Sequence, residues 1–279
     1  LNAHCSGPLD AGGPVLLIGA GKMGGALLDG WLARGLDPAS VFVVDPALPE
    51  FTAERWRRAG VRLGPQPGDL SGPAAILLAV KPQAVEGALP AAATFAGPDT
   101  VVVSVLAGTT LATLSAGLAD GQAVVRAMPN TPAAVGRGVT GCVAGGQTRP
   151  EQRDLADRLL RAVGDVVWVE DEGLIDAVTG VSGSGPAYVF LLVETLARAG
   201  VAAGLPAELA QTLARKTVEG AGELLARSSE PPEILRRNVT SPNGTTAAAL
   251  EVLMAEDGLA PLMERAVAAA TRRSRELAG

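Results

Sequence analysis

The first 170 residues are punctuated by short, unbroken runs of β-branched and aliphatic residues: VLLIG (15–19), VFVVD (41–45), AILLAV (75–80), TVVVSV (100–105), AVVRAM (123–128) and VVWVE (166–170). Runs without polar alternation need cover on both faces when they form strands, and the segments between them are patterned as helices. The combination predicts a doubly wound, parallel α/β sheet over residues 14–170. After Asp171 the β-rich runs stop. The text becomes rich in alanine, leucine and glutamate, with helix starts at Pro186, Pro206, Pro231 and Gly244, so residues 171–279 are expected to form a second, all-α domain. A chain of 279 residues with 48% hydrophobic content has the material for two cores.

Charge and cysteine usage exclude several classes. A net charge of −6 without a basic block gives no footprint for nucleic acid or an anionic membrane surface. Cys5 and Cys142 are far apart and form no CxxC, and the single histidine is His4, so neither a metal site nor a disulfide framework is indicated. The opening LNAHCSGPLDAGG has no basic region followed by an apolar one, as a secretory signal would, and residues 1–13 are set outside the fold as a disordered leader. The longest apolar helix candidate, 186–200, carries Glu194 and Arg198 and falls short of the roughly 18 uncharged residues of a membrane span. A cytoplasmic protein with no membrane association is therefore expected. That same helix is apolar nearly all round, more than a domain of roughly 110 residues can cover by itself, which predicts an oligomer joined through residues 171–279.

Gly19, Gly21 and Gly24 in LLIGAGKMGG (16–25) form GxGxxG directly after a strand and at the opening of a helix. In that context, with Lys22 and Met23 between the glycines, backbone amides and the helix dipole face a diphosphate, as in a Rossmann-type dinucleotide site. Asp45 ends the second strand, where an acid bonds a ribose 2′-OH and repels a 2′-phosphate; capping the turn before Pro46 is the plainer alternative. Three further loops follow predicted strands: AVKPQ (79–83), SVLAGTT (104–110) and RAMPNTPAA (126–134). Lys81 is one of three lysines against twenty arginines. Pro129 and Pro132 bracket Asn130 and Thr131, fixing the backbone angles that aim their side chains. In SGSGP (182–186), Ser184 can N-cap a helix beginning at Pro186, and the glycines serve either close packing or a substrate; both readings stand. Tyr188 reads as core or interface, and Glu170–Glu172 as a solvated helix start.

The stretch SPNGTTAAA (241–249) contains hydroxyls and a turn but no group that titrates near neutral pH. A helix opening at Gly244 offers unpaired N–H groups and partial positive charge to a carboxylate. The alternative is that Ser241, Thr245 and Thr246 only cap the helix, although one cap needs one hydroxyl.

Taken in order, GxGxMG, AVKP, the AG-containing loop, MPNTP, DAVTGVSGSGPAY (176–188) and TSPNGTT (240–246) resemble the pyrroline-5-carboxylate reductases over residues 14–279. The resemblance implies reduction of Δ1-pyrroline-5-carboxylate to L-proline with NADPH or NADH, in a homo-oligomer built from dimers through the all-α domain. It implies that Gly19 to Gly24 bind the diphosphate and that Ala79, Val80, Lys81 and Pro82 line the cofactor. Ala107 and Gly108, with Asn130 and Thr131, would flank the nicotinamide. Ser241, Asn243, Gly244, Thr245 and Thr246 would bind the substrate, with Thr246 closest to the ring nitrogen and catalytic. Two departures from the family pattern are Asn243 in place of glycine, and Asp45 where relatives preferring NADPH tend to be neutral or basic. The missing titratable group then has an explanation: a protonated cyclic imine already carries the proton that the product amine keeps, so the site needs orientation and electrostatics more than an acid.

Rival classes fit less well. A β-hydroxy-acid dehydrogenase would place a lysine in the first long helix of the second domain, and residues 186–203 contain none. A serine hydrolase needs GxSxG and a catalytic histidine, whereas Gly180–Ser184 lacks the final glycine. A nucleotide sensor without turnover would bind the cofactor and leave the imine unreduced.

Overall fold

The computed structural model describes residues 7–278. Its sheet has eight strands: β1 Val15–Ile18, β2 Val41–Val44, β3 Arg62–Leu63, β4 Ala75–Leu78, β5 Val101–Ser104, β6 Ala123–Met128, β7 Gly138–Ala144 and β8 Gly164–Trp168. The spatial order is β3-β2-β1-β4-β5-β6-β7-β8. The first six follow the 3-2-1-4-5-6 order of a dinucleotide-binding sheet. All neighbouring pairs run parallel except β6 and β7, so the sheet is mixed rather than wholly parallel, with Arg126 opposite Val143 and Ala127 opposite Cys142.

Between and after the strands lie α1 Lys22–Ala33, α2 Glu50–Ala59, α3 Val85–Phe95, α4 Leu111–Ala116, α5 Pro150–Leu160, α6 Leu174–Val178, α7 Gly185–Ala202, α8 Ala207–Arg227, α9 Pro232–Asn238, α10 Thr245–Leu253 and α11 Leu259–Ala278. The unbroken apolar runs are explained by burial on both faces. Val15 and Leu17 of β1 share a core with Leu27, Leu28 and Trp31 of α1, Trp56 of α2 and Leu159 of α5. Leu16 and Ile18 face the opposite core, with Leu89 and Phe95 of α3 and Leu114 of α4. Trp31 is fully buried and still satisfied, because its indole N–H donates to the Leu159 carbonyl at 2.8 Å.

Several sequence expectations need correction. The segment set aside as a leader is partly folded: Leu9 and Ala11 are buried in the core, and the Leu9 N–H bonds the Arg34 carbonyl at 2.8 Å. His4 and Cys5 lie outside the described residues. β7, GVTGCVA, was not expected, because two glycines and a threonine break its aliphatic pattern. Its glycines answer to packing, since a Cβ on Gly141 would stand 2.6 Å from the Val178 side chain of α6. Cys142 is sealed within this strand, and burial pushes its thiol well above the usual range.

The described chain divides into two compact units, residues 7–183 with 271–278 and residues 184–270. The first unit thus runs past the last strand to take in α6 and the closing residues of α11. Between α6 and α7 the backbone forms a π-helical turn, Thr179–Gly183, which makes Leu174–Ala202 one continuous helical stretch. Ser184 stands at the N-cap position of α7 as expected, but its backbone has helical angles and its side chain makes no capping hydrogen bond. By length and composition alone this stretch could cross a membrane, which is more than the window 186–200 suggested.

The second unit is helical throughout, and α7, α8, α9 and α10 start at or within a residue or two of the expected prolines and Gly244. α7 and α8 form a hairpin in which Gly200 lies against Ala210. Yet α7 buries none of its residues, and Val189, Phe190, Leu191 and Leu192 are all about half exposed or more. An apolar surface of this extent marks an interaction site.

Candidate active site

The glycine loop is built as its spacing requires. Gly19, immediately after β1, has φ +92°, and a Cβ there would collide with the backbone of Ala79 and Val80 at 2.6–2.8 Å. Gly24 packs α1 onto this turn, with a hypothetical Cβ only 2.1 Å from the Gly19 carbonyl oxygen. Gly21 has open space where its Cβ would be, and it begins α1 without a side-chain cap. An uncapped helix N-terminus beside an open glycine is a fitting cradle for a diphosphate. Lys22 and Met23 are the first two residues of α1, and Met23 packs against the core.

Asp45 follows β2 with both carboxylate oxygens engaged. Oδ2 accepts the Ala20 N–H at 2.7 Å and Oδ1 the Ala47 N–H at 2.8 Å. It therefore caps its own turn, as the plainer reading has it, and braces the glycine loop at the same time. The residues after it, Pro46 to Pro49, include no cation or hydroxyl, and the next side chain is Glu50.

The other loops leave the same carboxyl edge of the sheet, where backbone bonds from Gly19 to Val44, Ala79 to Ile18 and Val105 to Leu78 prolong the ladder. Lys81 is exposed and its carbonyl accepts the Ala84 N–H, with Pro82 opening the intervening turn. Ala107 and Gly108 lie in the loop after β5. In the loop after β6 the Asn130 amide is 8% exposed and makes two internal bonds, donating to the Ser182 carbonyl at 3.1 Å and accepting the Val139 N–H at 2.9 Å. The proline-framed amide thus fastens the loop to the π turn and to the start of β7. Thr131 beside it is exposed.

Arg126 and Glu172 were missed as structurally informative residues. Glu172, expected to be solvated, bonds Arg126 at 2.7 Å and the Leu111 N–H at 2.8 Å. The only available signal was an arginine inside an otherwise apolar strand run.

The SPNGTT turn lies in the helical unit. Asn243 has φ +59°, the only non-glycine residue with positive φ among the described residues. Asparagine is the side chain best suited to replace glycine there. The Gly244 N–H closes the turn onto the Ser241 carbonyl at 3.1 Å, and α10 begins at Thr245 without a side-chain cap. Among the described residues the hydroxyls of Ser241, Thr245 and Thr246 make no hydrogen bond. They are not consumed in capping. The uncapped N–H groups at the helix start and the three hydroxyls can together receive a carboxylate and a ring nitrogen.

Residues 172–277 match the pyrroline-5-carboxylate reductase dimerisation family, and residues 14–108 match the NADP oxidoreductase, coenzyme F420-dependent family. Pyrroline-5-carboxylate reductase of Pseudomonas aeruginosa is 40% identical over 264 residues, covering 95% of this chain and 96% of the relative. The structure of a pyrroline-5-carboxylate reductase from Coxiella burnetii aligns with a TM-score of 0.88 at 33% identity, over 96% of this chain and 99% of the other. That of Plasmodium falciparum pyrroline carboxylate reductase, with NADP bound, aligns with a TM-score of 0.79 at 26% identity, over 95% and 98%. With a Rossmann-type sheet edge, an all-helical dimerisation unit and full-length likeness at this level, the chain belongs to the pyrroline-5-carboxylate reductases, NAD(P)H-dependent oxidoreductases of proline biosynthesis.

Proposed function

We propose that the carboxyl edge of the sheet holds NADPH or NADH and that the SPNGTT turn holds the imine, with Thr246 as the residue that bonds the ring nitrogen. The observation carrying the substrate assignment is the start of α10, where N–H groups have no side-chain cap and, among the described residues, the adjacent hydroxyls make no hydrogen bond. When bound, the reduced nicotinamide supplies the hydride. Gly19, Gly21 and Gly24 bring backbone amides close to the diphosphate, and Asp45 receives the adenosine ribose. Ala79 to Pro82 line the cofactor; Ala107, Gly108, Asn130 and Thr131 flank the nicotinamide, Asn130 through the backbone that its amide holds in place. At the substrate end, the partial positive charge at the start of α10 favours the carboxylate, while Ser241, Asn243 and Thr245 shape the turn around it. Thr246 keeps the iminium proton directed and supports the amine as it forms.

The helical unit joins two copies into a homodimer, its family being one of dimerisation domains. Assembly of those dimers into a larger oligomer, and a cytoplasmic location, are further parts of the proposal. The deciding experiment adds Δ1-pyrroline-5-carboxylate to protein and reduced nucleotide and follows nicotinamide absorbance. Rapid loss of absorbance with proline formation is expected. Nucleotide binding without turnover would instead mark a sensor.

A further inference from the structure

A partly buried charge cluster lies behind the loop that leaves β5. Arg126 projects from β6 with 5% of its side chain exposed; its guanidinium bonds Glu172 at 2.7 Å and lies 4.0 Å from Asp176 of α6. The Glu172 oxygen that meets Arg126 also accepts the backbone N–H of Leu111, at the foot of the Val105–Thr110 loop. Asp176 in turn accepts a hydrogen bond from the buried Ser274 hydroxyl of α11 at 2.7 Å, with Arg275 3.9 Å away. Three residues further on, the backbone of Leu277 rests on Gly108. A Cβ at Gly108, which has φ +75°, would stand 2.8 Å from the Leu277 carbonyl oxygen. Contacts therefore run from β6 through Glu172 to the foot of this loop, and through Asp176 and α11 to Gly108 in its middle.

Stability alone does not call for such a cluster, because a buried ion pair is often no better than well-packed apolar residues of the same volume. What an ion pair adds is fixed geometry. We propose that Arg126, Glu172, Asp176 and Ser274 are positioning residues for the nicotinamide end of the cofactor, clamping the Val105–Thr110 loop between the sheet and the last turn of α11. The inference rests on the reading of Ala107 and Gly108 as the nicotinamide wall. The diphosphate and adenosine end, at Gly19 to Gly24 and Asp45, lies on β1 and β2 and outside the clamp.

The test compares ADP-ribose, which shares only the diphosphate and adenosine end, with NADH, by calorimetry on the full-length dimer, alongside steady-state kinetics. Glu172→Ala is expected to lower kcat by roughly 10- to 100-fold, the order of loss for a small misplacement of a reacting group, with little change in KM for the imine. ADP-ribose affinity should stay within about two-fold, as for distant independent sites. Glu172→Gln keeps an oxygen that accepts the Leu111 N–H and should recover most of the loss. Ser274→Ala leaves every charge in place, folds even if Glu172→Ala does not, and should show a smaller loss of the same pattern. Unchanged kcat in Glu172→Ala and Ser274→Ala, or ADP-ribose affinity falling in step with kcat, overturns the proposal. Gly108→Ala separates the two layers of inference. If it leaves kcat and NADH affinity intact, the loop does not flank the nicotinamide and the clamp fails with that reading. If it is damaging while Glu172→Ala and Ser274→Ala are silent, the loop assignment survives and the clamp alone is wrong.

Discussion

Thr246 and Asp45 are the two side chains whose chemistry can be isolated by nearly isosteric replacement. Thr246→Val preserves shape but removes the hydroxyl assigned to the ring nitrogen. If that bond strengthens as the amine forms, kcat should fall by roughly 10- to 1000-fold while nucleotide affinity barely changes. Thr245→Val should cost less, because its backbone N–H rather than its hydroxyl is assigned to the carboxylate. Kinetics of both variants with parallel nucleotide titration check this, and full activity in Thr246→Val would remove the residue from the chemistry. At Asp45 the structure sharpens the choice of variant. Its carboxylate holds Ala20 and Ala47, so serine would disturb the glycine loop as well as the charge. Asp45→Asn removes the charge and keeps one of the two acceptors, so it disturbs the loop less than serine although either Ala20 or Ala47 loses its bond. A charge facing a partly exposed ribose phosphate is worth about 1 to 2 kcal/mol, so preference should move toward NADPH by roughly 5- to 30-fold. An unmoved ratio of NADPH to NADH affinity would take Asp45 out of cofactor selection.

At the scale of elements, the β1–α1 turn is the most tightly specified part of the chain. Gly24→Ala would drive a methyl into the Gly19 carbonyl, a backbone atom that cannot turn aside. The expected result is displacement of α1 from the turn, with dinucleotide affinity reduced at least about ten-fold and a lower melting temperature, about 1 to 3 kcal/mol being the usual cost of overpacking a tight site. Gly21→Ala meets no protein atom and should leave the melting temperature unchanged while still weakening nucleotide binding. Thermal denaturation with and without NADH distinguishes them; equal stability of Gly24→Ala and the parent would show that the turn relaxes. This element was legible in the sequence because its signal is local: a strand, three spaced glycines and a helix. β7 was not, because it is a strand by virtue of its neighbours, with Gly141 pressed against Val178 and β8 alongside.

At the scale of the whole molecule, the uncovered face of α7 is the surface proposed to meet a second copy. Leu192 is 51% exposed in the single chain, so Leu192→Glu should be tolerated by an isolated protomer but not within a packed interface, where an unpaired charge costs several kcal/mol. Sedimentation should show monomer or unfolded protein at concentrations where the parent is dimeric, and an intact, active dimer would place the interface elsewhere. The sequence by itself determined the α/β-then-α organisation, the glycine turn between β1 and α1, the starts of α7 to α10 and membership of a dimerising family, because each rests on periodicity or spacing within about a dozen residues. Tertiary structure alone decided the antiparallel β6–β7 pair, the burial of Leu9 and Ala11, the π turn that carries α6 into α7, and the joining of Arg126 to Glu172 across 46 residues and of Asp176 to Ser274 across 98. Those features depend on which distant groups meet, and a buried charge or a glycine strand acquires its reason only from the neighbour that folding brings to it.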